Sequence, residues 1–153
     1  MQYDKILAAA VHPSKKCLAL TTHDNVLTLL FMSDQAAEEV KLTFSKAKII
    51  HAFSFATGSE DFNFFVITNL SIDLYKVDTN NQRARIVKNI PLELPNNLDP
   101  VILVEPVSCS LVAVDTKTGQ CYPYFMHMHR EGNSAVKGVQ FKLDINPTGA
   151  ATG

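Results

Sequence analysis

The sequence has no tryptophan and only six glycines among its 153 residues. The internal glycines are isolated from one another, at Gly58, Gly119, Gly132 and Gly138. Because phosphate-cradling loops and dinucleotide-binding turns need closely spaced glycines, both of these nucleotide-binding motifs are excluded. No serine has the flanking glycines of a nucleophile elbow, which excludes a hydrolase of that type.

Cysteine is also scarce, with three residues at Cys17, Cys109 and Cys121 and no CxxC spacing. An odd number without that spacing argues against a disulfide framework and against a structural zinc site. Cys17 and Cys109 lie in apolar runs, where a free cysteine usually acts as a small buried hydrophobic residue. We therefore expect reduced thiols in a cytosolic protein.

Charge of either sign is not in excess, since 14 Lys and Arg oppose 15 Asp and Glu for a formal net charge of −1. The chain has no basic footprint, so neither nucleic acid nor anionic lipid is predicted as a partner. No window approaches the roughly 20 apolar residues of a membrane span. The apolar run from Ile6 to Val11 is too short for a secretory signal. A soluble chain without a transmembrane segment is expected.

Hydrophobic residues, by contrast, make up 46% of the chain and alternate with polar residues at period two. The alternating runs are rich in β-branched and aromatic residues, and Asp-Asn, Gly-Ser, Asn-Asn and Thr-Gly clusters separate them. This pattern is typical of strands joined by turns. Only Ser33 to Lys41 has helical propensity, as a short helix or as a turn leading into a strand. The sequence predicts an all-β fold.

The strands repeat at intervals of 46 to 47 residues. Apolar segments beginning at Leu18, Phe65 and Leu111 each follow an apolar strand and precede a tight turn, a third strand, a loop and a fourth strand. The third strand of the first unit is expected at Val26 to Met32, and the fourth strand of the last unit at Val136 to Leu143. Such four-stranded antiparallel units are typical of β-propeller blades. The Gly-His and Trp-Asp pairs of WD repeats are absent, so we predict a divergent β-propeller with three blades, at about 4–45, 47–92 and 98–144. The second strand of each blade should be the most buried, because neighbouring blades cover both of its faces.

Propellers close with about 4 to 8 blades, so three blades predict that residues 1–145 are a partial propeller within a larger one. Residues 146–153 combine Pro and Gly without apolar periodicity and are interpreted as a flexible tail or a truncation point. The alternative architecture is a closed sandwich or barrel of about twelve strands that binds a small ligand in its interior.

No catalytic, cofactor or metal site is predicted, and we expect the chain not to be an enzyme. His127 and His129 would share one strand face at period two and could bind a metal if a third ligand approached. Together with Cys121 they are the only candidates for an active site. The preferred interpretation is that both histidines face the solvent. The remaining histidines are expected in turn or capping roles, at His12, His23 and His51.

Charged side chains occur in pairs that do not converge on one substrate. Adjacent carboxylates at Glu38-Glu39 and Glu60-Asp61 would point to opposite faces of a strand. Arg83 and Arg85 share a face of a basic fourth strand, near Lys88, and could contact phosphate or an acidic partner. The preferred interpretation is that these charges protect an exposed sheet edge from aggregation.

Blades two and three also resemble a known family. The segments Phe64 to Asn69, Ile72 to Val77 and Arg83 to Lys88 resemble the N-terminal propeller of the Bulli family, which regulates the Mon-Ccz exchange factor and includes the colon-cancer-associated Mic-like proteins. Members carry an apolar-Ile-Thr-Asn/Asp strand, an Ile-Asp/Glu-aromatic-Tyr strand and a basic strand in this order. The resemblance continues at Tyr122 to Phe125 and at Val139 to Leu143.

This resemblance implies a non-catalytic scaffold that helps a Mon-Ccz heterodimer, the exchange factor for a late-endosomal Rab GTPase, to act on endosomal and autophagic membranes. It implies protein partners and a peripheral location on late endosomes and lysosomes through those partners. The alternative function is a propeller segment of a coat or tethering subunit, such as a vacuolar-sorting protein. Strand spacing alone does not separate these functions.

Overall fold

The computed structural model describes residues 3, 5–23, 26–57, 61–92, 94, 100–105, 110–129 and 132–144. These residues form thirteen strands, which pair only in antiparallel fashion, and they contain no helix long and apolar enough to cross a membrane. The chain divides into two compact units, Met1–Glu93 and Leu94–Gly153. Blades one and two belong to the first unit and blade three to the second.

Blade one is a four-stranded meander in which consecutive strands are neighbours. Its strands are β1 Ala8–Val11, β2 Cys17–His23, β3 Val26–Met32 and β4 Ala37–Thr43. The segment from Ser33 to Lys41 is not helical. The Ser33 hydroxyl accepts the backbone N–H of Ala36 at 3.2 Å, and β4 then begins at Ala37. The helical interpretation is wrong, and the alternative of a turn leading into a strand is confirmed, because pairing with β3 outweighs local propensity.

Blade two repeats the same order. Its strands are β5 Ile50–Phe55, β6 Phe64–Thr68, β7 Ser71–Asp78 and β8 Arg83–Pro91. All five residues of β6 are buried, so side chains on both faces of this second strand are shielded from solvent. That burial is what the propeller interpretation expects of a second strand.

Blade three departs from the prediction in its fourth strand. Its strands are β9 Val101–Val104, β10 Leu111–Val114, β11 Gln120–His129, β12 Gly132–Lys137 and β13 Phe141–Lys142. A single strand from Val136 to Leu143 is therefore wrong: β12 pairs with the distal part of β11, and β13 pairs with its first two residues. Pro123 of β11 lies at the break, and its missing N–H prevents a continuous ladder there.

The core of the first unit forms where blades one and two pack together. Blade one contributes Cys17, Ala19, Leu27, Leu29 and Phe31, and blade two contributes Phe55, Phe64, Val66, Tyr75 and Val77. The Phe64 ring contacts the Phe55 ring at a centroid distance of 4.7 Å and the Tyr75 ring at 6.2 Å. Full burial of such a side chain contributes about 1.5–3 kcal/mol, so this aromatic group is a main stabiliser of the contact between the blades.

The observed architecture confirms the predicted all-β fold made of propeller blades. The strands form three separate sheets, each with its own edges, rather than the closed sandwich or barrel considered as the alternative. The interpretation of residues 146–153 as a tail lies outside the described residues, and the division at residue 145 stays a prediction.

Candidate functional site

The three residues considered for an enzyme, Cys121, His127 and His129, all lie on β11. Cys121 is buried, and its thiol contacts the carbonyl oxygen of Gly119 at 3.5 Å. The side chains of His127 and His129 lie outside the described part of the structure. Within the described ranges, no group of three or more His, Cys, Asp or Glu side chains is placed to hold a metal ion.

Cys17 is enclosed in the core between blades one and two, as expected for a small buried hydrophobic residue. Burial raises the pKa of its thiol to about 11. Because the thiolate is the nucleophilic form, this thiol is inert at neutral pH. Cys109 lies outside the described residues.

His12 has the turn role that its position predicts. Its Nδ1 accepts the backbone N–H of Ser14 at 3.0 Å, and its ring packs edge-on against Phe55 at a centroid distance of 5.1 Å. Partial burial lowers the pKa of the imidazole. His51 is the second residue of β5, and the side chain of His23 lies outside the described part.

The structure places three of the four adjacent carboxylates on the surface. Glu38 and Glu39 lie on the edge strand β4, where Glu39 accepts the Tyr3 hydroxyl at 3.0 Å and pairs with Lys41 at 3.4 Å. Asp61 is exposed, and Glu60 lies outside the described residues. Glu38 and Glu39 are thus exposed on the outer edge of blade one, and the interpretation of Glu60-Asp61 stays a prediction.

A buried ionic group on blade two was not identified from the sequence. Asp73 of β7 is only 1% exposed, and its carboxylate contacts the Lys48 ammonium at 3.4 Å and the Asn89 amide. Lys48 also lies over the ring of Phe44 at 5.9 Å. The signal in the sequence is an aspartate inside an apolar strand, since a buried charge requires a partner. This group connects the segment that enters blade two with the strands β7 and β8.

The basic residues Arg83, Arg85 and Lys88 do lie on one strand, the edge strand β8 of blade two. A cavity of about 680 Å³ extends along the outer end of the β7–β8 hairpin and reaches blade one. We call this cavity the β8 groove; it is lined by Val40, Lys76, Asp78, Asn81, Gln82, Arg83, Ala84 and Arg85. Sequence reasoning found the two arginines but missed Lys76 and Val40, because cross-strand pairing and blade packing bring these residues to the groove.

Blade three carries an apolar face of its own. A cavity of about 380 Å³ there is lined mainly by apolar side chains, including Leu103, Val112, Pro123 and Phe125. Leu103 and Phe125 are 60% and 52% exposed. Propeller blades cover such faces by stacking on one another, so this face has the character of a blade-to-blade surface.

Comparison with known proteins supports the fold. No protein-family model matches the sequence, and no curated protein matches it. The chain is similar to the crystal structure of Hsv2 from Kluyveromyces marxianus, with a TM-score of 0.53 and 12% identity over 92% of this chain and 47% of that one. Hsv2 from Kluyveromyces lactis gives a TM-score of 0.56 and 7% identity over 90% of this chain and 47% of that one.

Hsv2 is a β-propeller protein, so the comparison confirms the propeller interpretation. The chain spans about half the length of the solved propellers that it matches. At this level of identity the likeness concerns the fold alone, and the resemblance to the Bulli family stays a prediction.

Proposed function

We propose that this chain is a non-catalytic interaction module in endosomal and lysosomal membrane traffic and autophagy. Its role is to support a Mon-Ccz-type exchange factor for a late-endosomal Rab GTPase. The module acts through protein contacts on blade faces and edges and reaches late-endosomal and lysosomal membranes through its partners. The propeller fold supports this proposal, since propellers commonly present their surfaces to other proteins.

The observation that carries the proposal is the position of the family-like segments in blade two. The three segments coincide with β6, β7 and β8, which are consecutive strands of one sheet. In this order a fully buried strand is followed by a strand with a buried aspartate and then by a basic edge strand. The resemblance therefore covers three consecutive strands of one blade instead of isolated segments.

Co-purification with a Mon-Ccz heterodimer tests the proposal. The tagged 153-residue chain should retain the heterodimer on an affinity column, and the tag without the chain should not. Addition of the chain to a fluorescent nucleotide-release assay should change the exchange rate on the late-endosomal Rab only in the presence of the heterodimer. Absence of association under conditions where the chain is folded by circular dichroism would contradict the proposal.

A coat or tethering subunit is the second candidate function, and the same fold supports it. The two candidates differ in the partner that the chain retains. Capture of vacuolar-sorting tether subunits without the Mon-Ccz heterodimer would favour the second candidate, whereas stoichiometric capture of the heterodimer would exclude it.

A further inference from the structure

The outer edge of blade two is the strand β8. In the described part of the chain, β8 pairs with β7 on one side and with no strand on the other. The register shifts at Leu74 and Tyr75, which face Lys88 and Ile86, so that Val87 is an extra residue in a β-bulge. Ile86 and Val87 are 49% and 39% exposed on this edge. The unpaired backbone groups of such an edge can bind another extended segment, whereas the bulge and the basic side chains of β8 oppose pairing with a second copy of this strand.

Positive charge surrounds this edge. Arg83 and Arg85 lie two positions apart on β8, and Arg85 lies directly opposite Lys76 of β7. The three cations line the β8 groove together with one acid, Asp78.

Asp78 is already engaged by its own turn. Its carboxylate accepts the Asn81 side-chain amide at 2.7 Å and the backbone N–H groups of Asn81 at 3.1 Å and Asn80 at 3.0 Å. These hydrogen bonds, led by the one from the Asn81 side chain, hold the pKa of Asp78 below its ordinary value. Arg83 lies directly opposite Asp78 in the sheet, and its charge also lowers the pKa of Asp78. Among the described residues, however, neither Arg83 nor Arg85 forms a direct ion pair with a carboxylate. The groove thus keeps guanidinium groups that an acidic ligand can reach.

We infer that β8 binds an extended acidic segment of a partner protein, which pairs with the strand edge while its carboxylates contact Arg83 and Arg85. A peptide fits the arrangement better than a phosphate group, since the cations are spread along a strand instead of converging on one point. The exposed Ile86 and Val87 give an extended peptide apolar contacts that a soluble phosphate does not use. The inference rests on blade two and its contact with blade one, and it holds whichever trafficking complex contains the chain.

Fluorescence anisotropy with the full chain tests the inference. The probe is a fluorescein-labelled peptide of about eight residues that alternates Glu and Val, a length typical of a strand. The Arg83→Glu, Arg85→Glu double variant should weaken binding at least about tenfold, because two attractions become two repulsions. The control is Lys16→Glu with Lys117→Glu, which makes the same change of net charge in two exposed turns and should leave the affinity within about twofold.

A second set of probes separates strand pairing from charge attraction. Two versions of the peptide carry N-methyl groups on alternate residues, one version in each register. The backbone N–H groups of a strand point alternately to its two sides, so pairing with β8 uses the N–H groups of every second peptide residue only. One version should lose binding and the other should retain it. Equal binding of both versions would overturn strand pairing.

A third experiment measures binding of the native chain and of the double variant to anionic vesicles that contain phosphatidylserine. If the double variant loses vesicle binding while peptide binding is unchanged, the groove recognises a membrane and the inference is wrong. Failure to bind the acidic peptide at all also overturns it. Neither result bears on retention of a Mon-Ccz heterodimer, which is measured separately.

Discussion

Gly138 lies against Pro123 at the point where the outer edge of blade three is interrupted. The backbone N–H of Gly138 donates to the carbonyl oxygen of Pro123 at 2.9 Å, and the proline has no N–H to return the second bond. A Cβ atom on Gly138 would lie 2.9 Å from the Pro123 Cγ and 2.6 Å from the Phe125 ring. The break between β12 and β13 is therefore also a site of close packing.

Gly138→Ala should lower the free energy of unfolding by about 1 to 2 kcal/mol, a cost typical of overpacking. The Phe125 ring is the group nearest to this Cβ atom, so Phe125→Ala in the Gly138→Ala background should recover part of the lost stability. Urea denaturation followed by far-ultraviolet circular dichroism measures both changes. Val139→Ala, on the exposed neighbouring residue, is the control and should change stability by less than about 0.5 kcal/mol. If Gly138→Ala leaves the free energy of unfolding unchanged, Gly138 is not closely packed against Pro123 and Phe125.

The break also shows which features of the fold the sequence can predict. The strand from Val26 to Met32 is recovered with its observed bounds, because alternation and flanking turn residues are local signals. The split of the last strand depends on which residue faces Pro123 across the sheet, and that register is not local. The two arginines of the β8 groove are found because they share one strand. Lys76 is not found, since it reaches the groove only through cross-strand pairing.

Asn69 joins the β6–β7 turn to the segment that enters blade two. Its Oδ1 accepts the backbone N–H of Ile49 at 2.8 Å, and its Nδ2 donates to the carbonyl oxygen of Ala47 at 3.1 Å. Asn69→Ala removes both bonds and should lower the free energy of unfolding by about 1 to 2 kcal/mol. Thermal and urea denaturation of the purified variant measure the change.

Two further variants distinguish the bonds of Asn69 from a general effect of mutating the turn. Asn69→Asp keeps the acceptor for Ile49 and loses the donor, so its stability should lie between those of the native chain and the alanine variant. Leu70→Ala changes the exposed neighbour in the same turn and should have the smallest effect. Equal losses for Asn69→Ala and Leu70→Ala would show that the side-chain bonds contribute nothing specific.

Lys48→Met tests the buried ion pair of blade two. The change leaves the Asp73 carboxylate, 1% exposed, without its cationic partner. Removal of one member of a buried pair is costly, and we expect a loss of about 3 kcal/mol in the free energy of unfolding. Lys46→Met, an exposed lysine in the same loop, is the control and should be nearly neutral.

Adding Asp73→Asn to Lys48→Met should restore part of that loss, because the buried negative charge is removed together with its partner. A double-mutant cycle gives the coupling between the two side chains. A coupling energy indistinguishable from zero would show that Lys48 stabilises the blade through its contact with Phe44 rather than through Asp73.

His12 should make the stability of the first unit depend on pH. Burial lowers the pKa of the imidazole below its ordinary value of 6.5, and the Nδ1 atom accepts the Ser14 N–H only in the neutral form. As the pH falls through about 6.5, the unfolded chain therefore binds a proton at His12 more readily than the folded chain does. The stabilising contribution is complete above this value and is lost as the pH falls toward the folded-state pKa.

His12→Asn preserves an acceptor for the Ser14 N–H but cannot titrate, so its free energy of unfolding should fall less than that of the native chain between pH 8 and pH 5. Urea denaturation at each pH gives the two slopes, and identical slopes would mean that His12 is not responsible for the pH dependence.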